Sequence, residues 1–393
     1  MGGNTDFIDF RHIDVMPTQY LKNSAGLFRQ ARNAGIFRGG PVFPGFAWQL
    51  AARHCRGRLP VPSDRRPRPA AVRREAAAGI WCGPVCHHYG HMIADFGMRI
   101  AQASRSDPGL PLVFSSAPDA ACEPPAFFWQ ILAHFGVGPE RVLLVREPTR
   151  FRLLHVPRQA ERLDGPGPGR AHLDLMDAIV AGHAAPARDI ELLFVSRARW
   201  PDGRLAGEPY LANILERAGA TVLHPELHDV ADQVRFMRRA KRIVFSEGSA
   251  VHTLQLLGRL DATVAVIERR PGNRLAEGAL RPRVRALEYW SPSRGVLYGL
   301  TARGWPRRDR SFGVFDEGDL LARLERFGLD IRGQWCSGDY ARRLSDDVAL
   351  WVAMNGYAAH HPGTLPFIRR QIGRLGLAVD IEGAWRIGTA RFQ

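Results

Sequence analysis

The sequence predicts an α/β protein whose second half is a parallel, doubly wound sheet. Three observations carry this. Short apolar runs at 190–195, 221–223, 243–245 and 263–267 alternate with amphipathic helical stretches across short loops, the pattern of parallel strands joined by crossover helices. At 243–245 the apolar residues are consecutive, as in a strand covered on both faces. A chain of 393 residues also exceeds one ordinary core and points to two domains, or two with an appendage.

Residues 1–80 are weakly patterned. Phe7, Ile8 and Phe10 suit one strand, 39–46 reads as loop, and the Pro- and Arg-rich stretch 60–69 as an exposed insert. From Tyr89 the spacing of Tyr89, Met92 or Ile93, Phe96 and Ile100 predicts one helical face. His91, Asp95 and Arg99, four apart, form a row on another face. A carboxylate holding a histidine is a usual acid–base arrangement. A solvated row of alternating charge has the same spacing, and spacing alone favours it. Strands are expected at 112–114, 141–145 and 151–156, with a helix at 125–135 between the first two. The Pro/Gly-rich run 163–169 is the clearest linker, and a helix at 170–182 follows.

In the second half, the strand at 190–195 ends in Ser196-Arg197-Ala198-Arg199. Tyr210, Leu211, Ile214, Leu215 and Ala218 mark a helix closed by Gly219, and Asp229 caps a helix bearing Val230, Val234, Met237 and Ala240. Residues 289–311 are loop-rich. Helices near 320–327, 346–356 and 365–375 form a mainly helical tail without visible chemistry, and His360-His361-Pro362 reads as a helix exit.

The most informative stretch runs from Arg242 to His252. Ile243, Val244 and Phe245 form a buried strand, Gly248 permits a turn and a close ligand approach, and Ser249 is a good N-cap. Ala250, Val251, Leu254 and Leu257 supply the helical face, and Gly258 the exit. A helix start after a strand presents free N–H groups and partial positive charge, a site for phosphate or diphosphate. Glu247 would repel phosphate and suits neutral hydroxyls of a ribose or sugar. In such sheets ligands bind beyond the carboxyl ends of the strands. Arginines at 197 and 199 and the helix start at 248–250 are therefore candidates to hold one diphosphate together.

Hydrophobic content of 45% and charged content of 24% are ordinary, but the formal charge of +15 and pI near 10.6 are not. Lys22 and Lys241 are the only lysines, so the charge is arginine spread along the chain. No long basic block and no interleaving with aromatics argue for nucleic acid. The five cysteines, Cys55, Cys82, Cys86, Cys122 and Cys336, are few, scattered and odd in number, which suits a reducing compartment. Residues 1–19 lack the pattern of a signal peptide and no stretch has the length of a membrane span. A cytoplasmic protein is expected, with a basic surface that also suits peripheral contact with an anionic membrane. Cys82, Cys86, His87, His88 and His91 have ligand types that suit zinc, but their spacing matches no common site. Buried cysteines beside a polar helix start are the simpler reading.

Five short motifs in order resemble glycosyltransferase family 61, especially its bacterial members. Tyr89-Gly90-His91-Met92-Ile93-Ala94-Asp95 stands where that family carries an aromatic-x-His segment closed by an acid. Val195-Ser196-Arg197 resembles its strand ending in Ser-Arg. Val222-Leu223-His224-Pro225-Glu226, the helix from Gln233 to Ala240, and Ser246-Glu247-Gly248-Ser249-Ala250 resemble its later motifs. The likeness spans about residues 81–268. Glu247 stands where many members have His, and His252 where many have Asn or Thr.

The resemblance implies an inverting glycosyltransferase of GT-B arrangement, two Rossmann-like domains facing a cleft. An acceptor-side domain would occupy 81–165 and a donor domain 170–290, with the weakly patterned 1–80 before them and the helical tail 291–393 after. The donor would be a nucleotide sugar, a UDP-sugar first, and the acceptor a glycan or lipid-linked glycan, as in surface polysaccharide synthesis. No metal is expected, the leaving diphosphate being met by arginines and helix N–H groups. His91 or Asp95 would be the catalytic base. Ser196, Arg197, Arg199, Glu247, Gly248, Ser249, Ala250 and His252 would bind the donor. The competing readings are a zinc-dependent enzyme built on Cys82 to His91 and a non-catalytic nucleotide or polyanion binder.

Overall fold

The computed structural model describes residues 7–18, 21–22, 28–29, 38–41, 54–55, 71–118, 123–163, 165, 167–183, 187–358 and 361–390, the short segments between 21 and 55 by backbone alone. The insert expected at 60–69, the side chains of Cys55 and Cys122, and His360 lie outside the described residues.

The fold is mixed α/β, built on two sheets. The weakly patterned N-terminal stretch contributes β1 (Phe7–Met16), β2 (Leu21–Lys22), β3 (Phe28–Arg29), β4 (Arg38–Pro41) and β5 (His54–Cys55). β6 (Arg74–Pro84), β7 (Leu112–Ser115), β8 (Val142–Val145) and β9 (Thr149–Pro157) complete a seven-stranded sheet in the order β5-β4-β1-β9-β6-β7-β8. Its β9-β6-β7-β8 portion is parallel, and β1 and β4 extend it antiparallel. β6 escapes the sequence patterns because Arg74-Glu75-Ala76-Ala77-Ala78 resembles a polar helix start more than a strand. Pairing with β9 on one side and β7 on the other overrides that local preference.

The second sheet matches its prediction closely. β10 (Ile190–Val195), β11 (Thr221–Leu223), β12 (Ala240–Ser246) and β13 (Leu260–Ile267) are joined by an unforeseen fifth strand, β14 (Val284–Trp290). All five are parallel, in the order β11-β10-β12-β13-β14. Numbered along the chain that is 2-1-3-4-5, so the strand order reverses between β10 and β12, the place where a doubly wound sheet opens a crevice for ligands.

Both faces of this sheet are covered, which explains the consecutive apolar runs. On one face α6 (Val230–Arg239) and an eight-residue 3-10 helix (Ser249–Leu256) pack with α1 (Tyr89–His91), α2 (Ile100–Ser104), α3 (Ala126–His134) and α4 (Arg170–Ala181). Cys82, Met92, Ile93 and Phe96 thus share one core with Val195, Ile243, Phe245 and Val251. On the other face α5 (Glu208–Arg217) packs with the C-terminal elements. α7 (Glu277–Leu280) still belongs to the first face, where Ala279 and Leu280 join that core; the C-terminal elements are the hairpin β15 (Ser293–Leu297) and β16 (Phe312–Phe315), α8 (Glu317–Arg326), α9 (Ser337–Tyr357), α10 (Thr364–Arg374) and α11 (Ile381–Ala390). Trp351, Val348, Leu344 and Phe312 lie in the core with Phe194, Val244 and Ala265, so the helical tail is half of the cover over the second sheet. No helix among the described residues is long and apolar enough to cross a membrane.

Two local expectations fail. The helix from Tyr89 is one α turn followed by a π turn, Met92–Phe96, that stops at Gly97 before α2 begins. Residues 249–256 form a 3-10 helix, and Ser249 gives it no side-chain cap. Residues 250–256 are all buried, so packing decides the winding and not an amphipathic face.

Candidate active site

The site begins where β10 and β12 end side by side. Their register pairs Val195 with Phe245, which puts Ser196 and Ser246 level. Between them sits the carboxylate of Glu208, fully buried at the start of α5. It accepts from Ser196 Oγ (3.0 Å), Arg197 N (2.5 Å), Ser246 Oγ (2.9 Å) and Leu205 N (3.3 Å). One acid thus ties both strand ends to the loop after β10. Sequence reasoning missed it, although an acid directly after Gly207, whose φ is +74°, and before a proline is a visible helix-start signal.

Arg197 leaves β10 and lies across Gly248. A Cβ at Gly248 would stand 2.3 Å from Arg197 Nη1 and 2.4 Å from its Cδ. Gly248 itself has extended backbone (φ 177°), so it is needed for space and not for a left-handed turn. Arg197 Nε donates to Gly203 O at 3.0 Å, and its two Nη groups form no hydrogen bond among the described residues. Burial lowers its pKa, opposed by Glu208, Asp202, Glu247 and Glu226 around it. A guanidinium keeps its charge under such shifts, so a half-buried cation with free donors faces the first turn of the 3-10 helix. Ser196 is buried behind it; Arg199 is exposed on the loop.

Glu247 has other partners than the hydroxyls expected for it. Its oxygens accept from Arg269 N (2.9 Å), Arg270 N (3.0 Å), Arg270 Nε (2.9 Å), Arg270 Nη2 (2.5 Å) and Asn273 Nδ2 (2.9 Å). With its lone pairs occupied, the buried carboxylate holds the loop after β13 against the end of β12. Arg269, drawn down to about 10 by burial and by neighbouring Arg270 and Arg197, completes a cationic cluster beside the crevice.

The N-terminal half reaches this crevice through α1. Tyr89 Oη lies 2.7 Å from Thr253 Oγ1 and donates to Gln233 Oε1 at 3.3 Å, fastening α1 to both the 3-10 helix and α6. Gly90 rests on the same helix: a Cβ there would meet His252 Cδ2 at 2.8 Å and Ser249 Cβ at 3.1 Å. His91 therefore stands next to the Ser249-to-His252 turn.

His91 Nδ1 and Asp95 Oδ2 are 2.8 Å apart. The favoured solvated row is corrected here: His91 is 8% exposed, Asp95 0% and Arg99 1%. Arg99 has left the row with the break at Gly97 and donates to Pro157 O at 2.8 Å. With Nδ1–H donating to the Asp95 carboxylate, the neutral form of His91 has its lone pair on Nε2. That Nε2 is buried without a partner among the described residues. Buried polar atoms are normally satisfied, so this unpartnered nitrogen beside the Ser249-to-His252 turn makes His91 a candidate to meet a ligand. His252 is neutral, pushed down to about 4 chiefly by burial, with Nδ1 2.7 Å from Gln255 Oε1.

The zinc reading gains no support from geometry. Among the described residues no three His, Cys, Asp or Glu side chains are grouped as metal ligands. Cys82 Sγ faces Ile80 O, its thiol pKa raised by burial, while Cys86 Sγ accepts from His88 N.

Comparison with known proteins bears on this stretch directly. Residues 89–259 match the family model described as Glycosyltransferase 61; no curated protein matches the chain. The match begins at Tyr89 and ends just past the 3-10 helix, so it contains every side chain of the His91, Arg197 and Gly248 arrangement.

Proposed function

We propose, for a chain that carries a glycosyltransferase 61 domain and is a glycosyltransferase, that it is an inverting enzyme using a nucleotide sugar, a UDP-sugar first. The observation that carries this reading is the meeting of Gly90-His91 with Ser249 and His252 at the crevice. That meeting supports a reading in which His91 is the base and the neighbouring turn the anion site.

In this reading the diphosphate lies against Arg197 and the N–H groups of Gly248-Ser249-Ala250, behind which Glu208 and Glu247 hold the two loops. Arg197 of the β10-to-α5 loop meets this turn at Gly248, and Gly90, next to His91, meets it at Ser249 and His252. The sugar extends toward His91 and the nucleoside away from it. The acceptor hydroxyl gives its proton to His91 Nε2, and its oxygen forms a bond to the anomeric carbon. The bond from that carbon to the diphosphate oxygen breaks on the opposite face, so the configuration inverts. Asp95 holds the imidazole and steadies the imidazolium that forms. Arg197 and the turn meet the charge growing on the leaving group without a metal. His252, neutral and next to His91, accepts from a sugar hydroxyl. The two sheets serve as the acceptor and donor halves of a GT-B arrangement, acting in the cytoplasm on a glycan or lipid-linked glycan of a surface polysaccharide.

The test is titration with UDP and GDP, with and without divalent metal, followed by transfer assays. A ligand bound only to the native state adds about 2.7 kcal/mol at a hundredfold excess over its Kd. UDP should stabilise the wild type without metal and fail to stabilise Arg197→Ala. His91→Ala should still bind UDP and lose on the order of 10²–10⁴ in turnover. Absence of nucleotide binding refutes the donor site, and a fully active His91→Ala refutes the base.

A further inference from the structure

The loop between β15 and β16 ends in a tight reverse turn. Thr301 N donates to Trp305 O (2.8 Å), Gly304 N to Thr301 O (2.9 Å) and Arg307 N to Gly299 O (2.9 Å), while Leu300 and Pro306 pair as an antiparallel bridge. Trp305, near the tip, is 70% exposed, more than any other large hydrophobic side chain described. Arg303 and Arg308 flank it, both exposed and neither in an ion pair among the described residues. Other exposed arginines divide between paired ones, such as Arg259 with Asp174, and ones unpaired among the described residues, such as Arg217 and Arg326. Exposed Tyr357 stands close by: the loop touches Asn355 at Gly299 and His361 at Gly304.

The turn is also fixed to the crevice. Arg269 Nη1 donates to Ser311 O (2.9 Å) and Oγ (2.8 Å), Arg310 Nε pairs with Asp202 (3.2 Å), and Gly203 lies on Asp309 O. Its neighbour is thus the loop that carries Arg197 and exposed Trp200.

We propose that this turn is a membrane-contact element, Trp305 seated at the headgroup level of an anionic bilayer with Arg303 and Arg308 on lipid phosphates. An indole, apolar in body with one N–H, is most stable at that interface. A guanidinium matches a phosphate bidentately. Each such charge near an anionic surface strengthens binding roughly fivefold, and the +15 of the chain adds attraction at longer range. The tip is convex and carries one ring, whereas sugars and bases are taken in concave sites. The contact itself stands apart from the transferase mechanism. Its consequence, an acceptor on a lipid brought within reach of the crevice, rests on that reading.

The test is co-sedimentation of the full chain with vesicles of phosphatidylcholine alone and mixed with phosphatidylglycerol, at low and high salt. Binding only to the anionic vesicles, weakened by salt, is expected. Trp305→Ala should lower it tenfold or more and the double variant Arg303→Ala/Arg308→Ala roughly twenty-five-fold. Both should keep wild-type thermal unfolding and UDP binding, since these side chains are on the surface. The control Arg217→Ala/Arg326→Ala removes equal charge elsewhere. Equal binding to neutral vesicles, an equal loss in the control, or an unchanged Trp305→Ala overturns the proposal. Trp305-dependent binding of single-stranded nucleic acid with no vesicle binding assigns the turn to another partner and overturns it as well.

Discussion

Gly90→Ala tests whether the two halves of the site touch as described. Gly90 does not have positive φ and sits in a helical turn, so on propensity alone alanine should stabilise the protein by about 1 kcal/mol. The structure predicts the opposite sign. The new methyl would stand 2.8 Å from His252 Cδ2 and 3.1–3.2 Å from Ser249. Ordinary contact begins near 3.4 Å, so α1 and the 3-10 helix must part by about 0.6 Å. His252 cannot easily turn aside, being buried and bonded to Gln255. Overpacking of this kind costs about 1–3 kcal/mol, which leaves a net loss of up to about 2 kcal/mol. The same shift carries His91 away from the turn. If 1 Å of misplacement costs about 10² in rate, turnover should fall roughly ten- to twentyfold while UDP affinity changes little. Denaturant unfolding and steady-state kinetics read the two effects separately. A stabilised variant, or one with wild-type turnover, refutes the close contact and the role of His91 built on it.

Three further outcomes follow from buried polar groups. Glu208→Gln replaces two accepting oxygens by one and sets an amide N–H₂ against the donors that now meet them. It should cost about 2–4 kcal/mol in denaturant unfolding and weaken UDP binding through the displaced Arg197 loop; an unchanged midpoint would deny the clamp. His252 and His134 are both pushed down to about 4, chiefly by burial. Each takes a proton near 6.5 when unfolded but only near 4 when folded, so its stabilisation is complete above 6.5 and is lost as pH falls toward 4. The loss is about 3 kcal/mol per histidine; urea midpoints against pH should show it, and His252→Asn should remove about half of the slope. Arg283 and Glu161 form a buried bidentate pair (2.5 and 2.9 Å) that joins the linker after β9 to the second sheet. Arg283→Met should cost about 3–5 kcal/mol, and adding Glu161→Gln should restore part of it, since the single change strands a charge; a double variant no better than the single would contradict this.

Much of the second sheet was legible because its signals are local. The apolar runs of β10, β11, β12 and β13, the Asp229 cap that accepts from Asp232 N and the helix after Gly207 each depend on residues within a few positions. β14 and the β15–β16 hairpin were not legible: Val284–Trp290 carries Arg285 and Glu288 on an edge strand, and these charges interrupt its apolar run. The π turn after His91 was hidden for a related reason, since apolar spacing does not distinguish one tight helix from two short ones separated by a wide turn.

By itself the sequence determined β10 to β13 and the helices α5 and α6 between them, and it marked His91, Arg197 and Gly248 as candidate site residues. Tertiary structure alone decided how these segments meet. Sheet order placed the ends of β10 and β12 together at the reversal point, because strand pairing is set by packing over long separations. Close backbone approach at Gly90 and Gly248 joined His91 to the turn and Arg197 to its N–H groups. Burial turned an apparent surface row into a His–Asp pair, and long-range hydrogen bonds turned Glu247 inward and enlisted Glu208. Periodicity reports which face of an element is apolar; it holds no record of which distant side chain will fill the space against that face.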